Sequence, residues 1–348
     1  MSRKPARNAG VNMVAPQAAN PCLISTAAEL LALGHLVAFP TETVYGLGAD
    51  GLNPNAVAKI FQAKGRPADH PVILHVADTA KAKRLAMHWP AVADELAEAF
   101  WPGPLTLILK RAGHVPDCVT GGQDTVGVRV PSHPVAQTLL RDFAGLGSGV
   151  IAAPSANRFG GISPTRAIDV ATSIGSRLGP HDVIIDGGDC DVGVESTIVD
   201  VSGDAPRILR PGGISREAIE AVMSLAKTSS ASVPRVSGAL ASHYAPNART
   251  LLRTSSEVPA EVERLLTQDA DQTVGCVVIT ATLPTTLLTT KRLTVCAMSN
   301  DPVTYAHDLY ATLNDLDRRG VDVVVIESPP ATVAWEAVLD RLGRAAHG

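Results

Sequence analysis

The sequence predicts an α/β fold in two parts. Up to about residue 225, short apolar runs alternate with segments of helical periodicity, which is typical of a layered α/β domain. A stretch rich in Ser, Ala, Gly and Pro follows, and a second alternation of strands and helices fills residues 249–348. We therefore expect a domain over 21–226 with a large mixed sheet, a linker over 227–247, and a smaller Rossmann-like three-layer domain over 248–348.

The first domain is predicted from short strand-forming runs separated by helices. Strands are predicted over 36–39, 71–76, 105–110, 126–130, 150–153, 183–185, 197–201 and 207–209. Helices are predicted over 26–33, 53–65, 80–99, 134–143, 165–176 and 215–226. Asn53-Pro54 marks a helix start, because Asn caps free backbone N–H groups and Pro fits the first helical position. Gly34 and Gly65 mark helix ends, where glycine adopts the left-handed conformation.

The second domain repeats the alternation on a smaller scale. Strands are predicted over 249–253, 275–280 and 321–327, and helices over 258–267, 302–318 and 333–345. Within 302–318, Tyr305, Leu309, Leu313 and Leu316 recur at helical spacing, which indicates core packing rather than a cofactor site. Residues 1–20 carry three basic side chains but no apolar segment of a signal peptide, so we expect a disordered tail.

The composition excludes several classes of function. The net charge of −4 argues against general nucleic-acid binding, which requires a basic surface, so any role with RNA is expected to be local or mediated by a partner. The five cysteines are scattered without CxxC pairs, and the histidines form no HExxH motif, so no metal site in the protein is expected. No apolar run is long enough to span a membrane. A cytoplasmic protein with reduced cysteines is the simplest expectation.

One glycine motif resembles a dinucleotide fingerprint but lacks its context. Gly46-x-Gly48-x-x-Gly51 follows a predicted strand. The fingerprint requires a helix that opens within the glycines, so that its N-terminus meets the pyrophosphate. Here the helix starts only at Asn53-Pro54, after the last glycine. We therefore expect a glycine-rich turn that brings the backbone close to a ligand or to another strand.

Two further segments carry groups that suit phosphate. Lys64-Gly65-Arg66-Pro67 places two cations at a helix end, although basic residues also favour helix ends without a ligand. The segment 153–165 crowds Ser, Asn and Gly residues between a strand end and a helix start, although Ser163 also suits a helix cap. Neither segment alone is enough to identify a phosphate-binding site.

Three more features have ordinary structural alternatives. Glu195-Ser196-Thr197 follows a glycine-rich strand end, but no G-x-S-x-G elbow surrounds Ser196, so a nucleophilic serine is not favoured. Arg210 precedes a rigid Pro-Gly-Gly turn and could equally be a surface residue. His75 lies in an apolar strand, where a core histidine and a substrate contact both remain open.

The order of these blocks resembles one family. The blocks are Phe39 to Gly48 (FPTETVYGLG), Lys64 to Pro67 (KGRP), His70-Pro71, Trp101 to Thr106 (WPGPLT), Val128 to Pro131 (VRVP), Ala153 to Asn157 (APSAN), Ser163 to Thr165 (SPT), Glu195 to Asp200 (ESTIVD) and Arg210 to Gly212 (RPG). Their sequence closely resembles that of the YrdC-like L-threonylcarbamoyladenylate synthases, from about residue 22 to 225. The linker, which ends in His243 to Pro246 (HYAP), and the C-terminal α/β domain are similar to the long form of that family.

The resemblance implies a fold and a reaction. The fold would be a twisted mixed sheet with helices and a concave basic cleft. The reaction would condense L-threonine, bicarbonate and ATP, carrying Mg²⁺, into threonylcarbamoyl-AMP and pyrophosphate. A separate transferase complex would then use that product to modify tRNA. The residues expected to hold threonine are Thr43, His75, Arg129, Ala153 and Ser196.

The resemblance also assigns the nucleotide site. The residues expected to hold ATP are Arg66, His70, Thr125, Ser155, Ser163, Arg210 and Tyr244. The expected catalytic set is Lys64, Arg66, Ser155 and Asn157. These positively charged, hydroxyl and amide groups suit a reaction that needs charge neutralisation and positioning but no protein nucleophile. The linker is expected to act as a lid, with Tyr244 on the nucleotide.

Two departures and two alternatives accompany the resemblance. The family commonly has Asn where this chain has His70, and the family's basic and aromatic residues just before His243 are absent. One alternative is an RNA-binding or ribosome-associated module of the same fold without synthase activity, which the negative net charge disfavours. The other is a carbamoyl-transfer domain, which normally accompanies acylphosphatase and zinc-finger segments that this sequence lacks.

Overall fold

The computed structural model describes residues 13–224, 233–238 and 243–347. These residues form a ten-stranded mixed sheet and a separate four-stranded parallel sheet. Among the described helices, none combines the length and the apolar character that a membrane crossing requires. The predicted α/β fold class, with a large mixed sheet and a second, smaller α/β unit, is confirmed.

The larger sheet has the strand order β1-β8-β2-β3-β7-β4-β6-β5-β9-β10. Its strands are β1 (Pro16–Ala18), β2 (Val37–Phe39), β3 (Gly46–Asp50), β4 (Ile73–His75), β5 (Leu105–Lys110), β6 (Thr125–Arg129), β7 (Ile151–Ala152), β8 (Val183–Asp186), β9 (Thr197–Asp200) and β10 (Arg207–Arg210). The helices are α1 (Pro21–Ala32), α2 (Pro54–Lys64), α3 (Thr79–Leu85), α4 (Ala91–Phe100), α5 (Asp117–Thr120), α6 (Pro134–Leu146), α7 (Ala167–Ile174) and α8 (Arg216–Val222).

Helices cover both faces of the larger sheet. Helices α1 and α6 pack together on one face, against Val37 and Phe39 of β2. Ala38, between them, faces a second core that contains residues of α2, α3, α4 and α7. Successive side chains of a strand point to opposite faces, so one strand serves both cores.

Helix α2 begins and ends as its sequence predicts. Asn53 accepts hydrogen bonds from the N–H groups of Asn55 and Ala56, and Pro54 occupies the first turn. Gly65 closes the helix in the left-handed conformation, with φ of +64°. The chain therefore leaves the helix immediately after Lys64 and turns Arg66 away from the helix axis.

Three predictions for the first domain were wrong. Part of the expected tail is ordered: Pro16–Ala18 forms β1, because it satisfies the open edge of β8 by parallel pairing; residues 1–12 lie outside the described part. The helix expected over 80–99 is two helices, because Pro90 holds an extended conformation and caps α4. The expected glycine turn is strand β3, paired antiparallel with β2 and β7.

Gly48 of β3 and Gly51, the residue that follows β3, allow close packing against neighbouring residues. A Cβ on Gly48 would lie 2.8 Å from Ile151 Cγ2 and 2.8 Å from Phe39 Cε1, and one on Gly51 would lie 2.7 Å from Leu74 Cδ2. Such distances are too short for carbon atoms. Of the two predicted uses for these glycines, close approach to another strand is confirmed.

We expect Gly48→Ala to destabilise the first domain by about 1–3 kcal/mol, because the added methyl group overpacks a buried contact. Calorimetric unfolding should show a lower midpoint for the variant. Gly113→Ala is the matched control, since a Cβ at Gly113 meets nothing within 4 Å. Equal midpoints for the two variants would contradict the packing account of β3.

The second domain is a three-layer α/β/α unit. Its strands, β11 (Arg249–Arg253), β12 (Val274–Val278), β13 (Leu293–Ala297) and β14 (Val323–Glu327), are all parallel in the order β11-β14-β12-β13. Its helices are α9 (Val258–Gln268), α10 (Thr285–Leu288), α11 (Pro302–Arg319) and α12 (Glu336–Ala345). Helix α9 covers one face, and α11 and α12 cover the other. The predicted three layers are confirmed, and only β13 and the short α10 were missed.

Candidate active site

A small cavity lies between strand ends of the larger sheet and the described part of the predicted linker. Its volume is about 40 Å³. Residues from nine separate segments of the chain line it: Thr41, Thr43, Val44, Gly46, Arg66, Ile73, His75, Arg129, Ala153, Pro154, Ser155, Glu195, Ser196, Arg210, Ser237, Gly238, His243 and Tyr244. The lining contains three guanidinium groups and one carboxylate, so this concave site is basic, as predicted.

The five residues predicted to hold threonine all line this cavity. His75 and Arg129 are opposite each other at the ends of the parallel strands β4 and β6. Thr43 follows β2, Ala153 follows β7, and Ser196 precedes β9. Strands that end at the same edge of the sheet therefore bring together residues that are up to 153 positions apart.

Arg129 is buried and oriented by fixed partners. Its Nη2 donates to Oε1 of Glu42 at 2.6 Å, its Nη1 donates to the hydroxyl of Thr43 at 2.9 Å, and its Nε donates to the carbonyl oxygen of Gly103 at 3.3 Å. Each terminal nitrogen keeps a second N–H group without a partner in the described part of the chain. The guanidinium can thus still donate two further hydrogen bonds, for example to an anion.

His75 is buried and neutral. Burial, and then the positive charge of Arg129, lower the pKa of His75 to about 3. Its Nδ1 atom is buried and has no hydrogen-bond partner among the described residues. A neutral ring with a free polar atom beside a cavity can accept or donate one hydrogen bond to a small polar ligand.

Four residues predicted to hold ATP line the same cavity: Arg66, Ser155, Arg210 and Tyr244. The other three lie outside its lining. Thr125 faces a separate small cavity beside Ser237. His70 is half-buried, with its ring edge against Phe159 at 5.1 Å between centroids. Ser163 lies behind the wall and donates to Oε1 of Glu195 at 2.5 Å.

Two members of the predicted catalytic set support the cavity from behind. The ammonium of Lys64 is buried and donates to the carbonyl oxygens of Ser155 and Asn157, at 2.6 and 2.5 Å. Burial, and then the charge of Arg66, lower the pKa of Lys64 well below its usual range. The amide of Asn157 donates to the carbonyl oxygens of Arg158 and Gly161, at 2.7 Å each. In this structure both side chains therefore hold the 155–161 loop.

The linker closes the cavity through two arginines. Arg66 Nη2 donates to the carbonyl oxygen of Pro71 at 2.7 Å and to Ser237 Oγ at 3.3 Å. Arg210 Nη1 donates to the carbonyl oxygen of Ser237 at 3.0 Å, and its other nitrogens donate to Ser196. Residues 227–232 and 239–242 of the predicted linker lie outside the described residues.

Sequence reasoning missed several residues of this site. Glu42 was quoted only as part of a motif, and its ion pair with Arg129 was not expected. Phe159, under the guanidinium of Arg66 at 5.5 Å, gave no signal of its own. Arg341, from α12, contacts Glu195 behind the wall. A detectable signal for it existed, since an arginine in the apolar stripe of a predicted helix needs a buried partner.

Glu195 makes the stability of the protein sensitive to acid. Burial alone would raise the pKa of Glu195, but the charges of Arg341 and Arg210 lower it from 4.5 to about 2. A lowered pKa means that the carboxylate stabilises the fold above about pH 4.5, and that this contribution is lost as the pH falls towards 2. Between about pH 4.5 and 2.5, chemical denaturation should therefore show a steeper loss of stability for the wild type than for Glu195→Gln. Equal slopes would contradict the ionised state of Glu195.

The chemistry of the lining is electrostatic. Among the described residues, no group of three His, Cys, Asp or Glu side chains could hold a metal ion. The oxygens of Glu195, the one carboxylate in the lining, already accept hydrogen bonds from protein donors. Cationic, hydroxyl and backbone groups can bind and orient anions.

Comparison with known proteins identifies the family. A family described as "Telomere recombination" matches residues 29–212, and "Threonylcarbamoyl-AMP synthase, C-terminal domain" matches residues 214–347. The chain is similar to the threonylcarbamoyl-AMP synthase of Pyrococcus abyssi, at 39% identity over 92% of this chain and 93% of that protein. It is similar to that of Bacillus subtilis, at 40% identity over 93% of each.

A solved structure agrees with the sequence comparison. The crystal structure of P. abyssi Sua5 complexed with L-threonine has 36% sequence identity to this chain and a TM-score of 0.81. The similarity covers 96% of this chain and 98% of that one, so it includes both domains and the order in which they follow. The chain belongs to the threonylcarbamoyl-AMP synthase family, whose members are enzymes that use ATP to make an AMP intermediate.

Proposed function

We propose that this protein condenses L-threonine, bicarbonate and ATP into threonylcarbamoyl-AMP and pyrophosphate, as the first step of threonylcarbamoyladenosine formation in tRNA. The observation that carries the proposal is the cavity itself. Every residue predicted to hold threonine and four predicted to hold ATP line one small cavity, and three of these residues are arginines. Two anionic substrates that react with each other need this arrangement.

Threonine would be held at the end of β4 and β6. The two free N–H groups of Arg129 match the two oxygens of a carboxylate, which is the strongest common mode of recognition for that group. Thr43, His75 and Ser196 supply small polar groups nearby for the amine and hydroxyl of threonine. The pairing of Arg129 with Glu42 fixes the orientation of the guanidinium before the substrate binds.

ATP would lie on the side of Arg66 and Arg210. Both guanidinium groups are buried, so their attraction to phosphate is weakly screened by solvent. Lys64 and Asn157 would contribute from behind the cavity, by holding the loop that carries Ser155. A Mg²⁺ ion bound to the triphosphate would neutralise part of its charge; the protein residues would supply the remaining cations.

The reaction needs no protein nucleophile. The amine of threonine and bicarbonate form a carbamate with loss of water, and a carbamate oxygen then attacks the α-phosphorus. The bond from that phosphorus to the bridging oxygen breaks, and pyrophosphate leaves. The arginines stabilise the negative charge that spreads over the phosphate oxygens, and the closed cavity excludes water, which would hydrolyse the carbamate and the mixed anhydride.

The linker would act as the lid of this site. A cavity of about 40 Å³ has room for roughly a few water molecules and none for a nucleotide. Ser237, Gly238, His243 and Tyr244 form one side of the cavity. The linker must therefore move outward for ATP to bind and return to enclose the reaction. The hydrogen bonds of Ser237 to Arg66 and Arg210 hold the closed position.

The proposed reaction also implies a downstream partner of the protein, an indirect relation to tRNA and a location in the cell. The product would pass to a separate threonylcarbamoyl-transferase complex, so this protein would meet tRNA only indirectly. The RNA-binding alternative is not favoured, because the net charge is −4 and the arginines of the cavity are buried away from any large polyanion. A cytoplasmic location fits five cysteines that all remain unpaired.

Pyrophosphate release tests the proposal. The purified protein is incubated with Mg²⁺ and ATP, and bicarbonate, L-threonine or both are left out in turn. We expect release only when both are present, and we expect L-serine to replace L-threonine poorly. Release that is independent of L-threonine would contradict the proposed reaction.

A further inference from the structure

Helix α12 of the second domain inserts a charged residue between the two domains. Its buried face carries Val338, Leu342 and Ala345, and Arg341 lies in the same face with a fully buried side chain. A buried guanidinium is tolerated only where acceptors and counter-charges surround it. The partners of the Arg341 guanidinium therefore indicate the role of this residue.

Arg341 meets the wall of the cavity at Glu195. Its Nε donates to Oε2 of Glu195 at 2.8 Å, and its Nη1 donates to the carbonyl oxygen of Pro211 at 2.9 Å and to Asp340 at 2.7 Å. The hydroxyl of Tyr310, from α11, donates to the same Oε2 atom at 3.0 Å. Two side chains of the second domain thus hold the one carboxylate of the cavity lining.

That carboxylate would otherwise oppose nucleotide binding. Because Arg341 and Arg210 overcome the effect of burial, the pKa of Glu195 is about 2 and the group is ionised. An ionised carboxylate in a buried wall repels phosphates with little screening by solvent. Arg341 balances this charge from outside the lining, so it leaves the cavity surface free for substrates.

The same two residues, Arg341 and Tyr310, also contact the ring of Tyr244 in the linker. The guanidinium carbon of Arg341 lies 5.2 Å from the centroid of the Tyr244 ring, and the centroid of the Tyr310 ring lies 5.8 Å from it. Cation–π and ring contacts favour one position of the ring. Tyr244 also has a φ of 61°, a conformation that costs free energy in a non-glycine residue and persists only where contacts hold it.

We propose that Arg341 and Tyr310 are positioning residues for the ATP site. They neutralise and orient Glu195, and they hold Tyr244 over the cavity. The second domain thereby completes a site whose substrates it does not touch. The inference rests on the proposed function, because it takes the cavity to be the place where ATP binds.

Arg341→Met tests the proposal directly. We expect the dissociation constant for ATP with Mg²⁺, measured by titration calorimetry, to rise at least about tenfold, because a buried carboxylate is left without its counter-charge. The KM for ATP should rise by a similar factor, and the KM for L-threonine by less than about threefold. A purely structural role would lower kcat through loss of folded protein and leave both KM values unchanged.

The double variant Glu195→Gln with Arg341→Met separates charge from packing. Removing the uncompensated carboxylate should restore at least about half of the binding free energy for ATP that Arg341→Met loses. The reason is that Arg341 acts on ATP binding through the charge of Glu195. A double variant that binds ATP no better than Arg341→Met would overturn the proposal.

Arg318→Met is the matched control. Arg318, on α11, forms an ion pair with the buried Asp169 of the first domain, and Arg318 does not line the cavity. We expect the ATP dissociation constant of this variant to stay within about threefold of the wild type. Equal losses in Arg318→Met and Arg341→Met would overturn the proposal, since weaker docking of the domains would explain both.

Tyr310→Phe serves if Arg341→Met fails to fold. It keeps the ring beside Tyr244 and removes one donor to Glu195, so we expect the ATP dissociation constant to rise about two- to fivefold. An unchanged constant would overturn the proposal. If the wild-type protein binds ATP but shows no threonine-dependent pyrophosphate release, the proposed function is contradicted, and the binding tests above still decide the positioning role. If the wild-type protein binds no ATP, both the proposed function and the positioning role are overturned.

Discussion

Arg66→Ala is expected to reduce synthesis of threonylcarbamoyl-AMP to background while the protein stays folded. The Arg66 guanidinium lines the cavity, lies over the ring of Phe159 and holds Ser237 of the linker. Burial lowers the pKa of Arg66 only to about 10, so the group is charged at neutral pH. Its removal takes away a proposed phosphate partner and a contact with Ser237 of the linker, and the loss of one such donor costs about 10²–10³-fold in kcat.

The measurement is the rate of threonine-dependent pyrophosphate release, together with circular dichroism of the variant. Arg177→Ala is the control, because Arg177 is an exposed arginine whose Nη1 reaches the carbonyl oxygen of Ala63 near the same helix end, outside the cavity. Near-normal turnover by a folded Arg66→Ala protein would exclude the proposed role at the phosphates.

Gly238→Ala is expected to slow synthesis about 100-fold by preventing closure of the linker. Gly238 has a φ of +84°, and an added Cβ would overlap the hydroxyl of Tyr244 and lie 3.2 Å from Nη1 of Arg210. An alanine there is strained in its backbone and also displaces the ring that closes the cavity. Displacements of about 1 Å in a reacting site can cost about 10²-fold.

Single-turnover synthesis with saturating substrates measures this effect without the contribution of substrate binding. Gly203→Ala is the control, since a Cβ at Gly203 meets nothing within 4 Å. Gly238→Ala is also expected to weaken ATP binding, because the added Cβ crowds Tyr244 and Arg210, two proposed contacts of the nucleotide. Synthesis at the wild-type rate would show that the linker need not close as in this structure.

Local sequence signals predicted much of the fold. Helix α2 follows from Asn53, Pro54 and Gly65, because caps and left-handed glycines act within a few residues. The three-layer second domain follows from regular alternation of apolar runs. Strand β3 was missed because its two glycines, with Gly51 directly after it, are typical of turns. They form a strand only because Phe39 and Ile151 pack against bare backbone, which is a tertiary constraint.

The sequence predicted those residues of the site that lie within recognisable motifs. The resemblance named nine residues that line one cavity, including Thr43, Arg129 and Arg210. It could not reveal that Lys64 holds the loop of Ser155, because that depends on the conformation of the loop. The Arg341–Glu195 pair joins residues 146 positions apart in different domains, and no local pattern encodes such a distance.

The most direct test of the account is the identity of the product. The protein is incubated with Mg²⁺, ATP, L-threonine and ¹³C-labelled bicarbonate, and the nucleotides are analysed by mass spectrometry. The account predicts an adenylate with the mass of threonylcarbamoyl-AMP that contains one labelled carbon and forms only when all three substrates are present. An adenylate of threonine without the label, or AMP and pyrophosphate alone after rapid quenching, would contradict it.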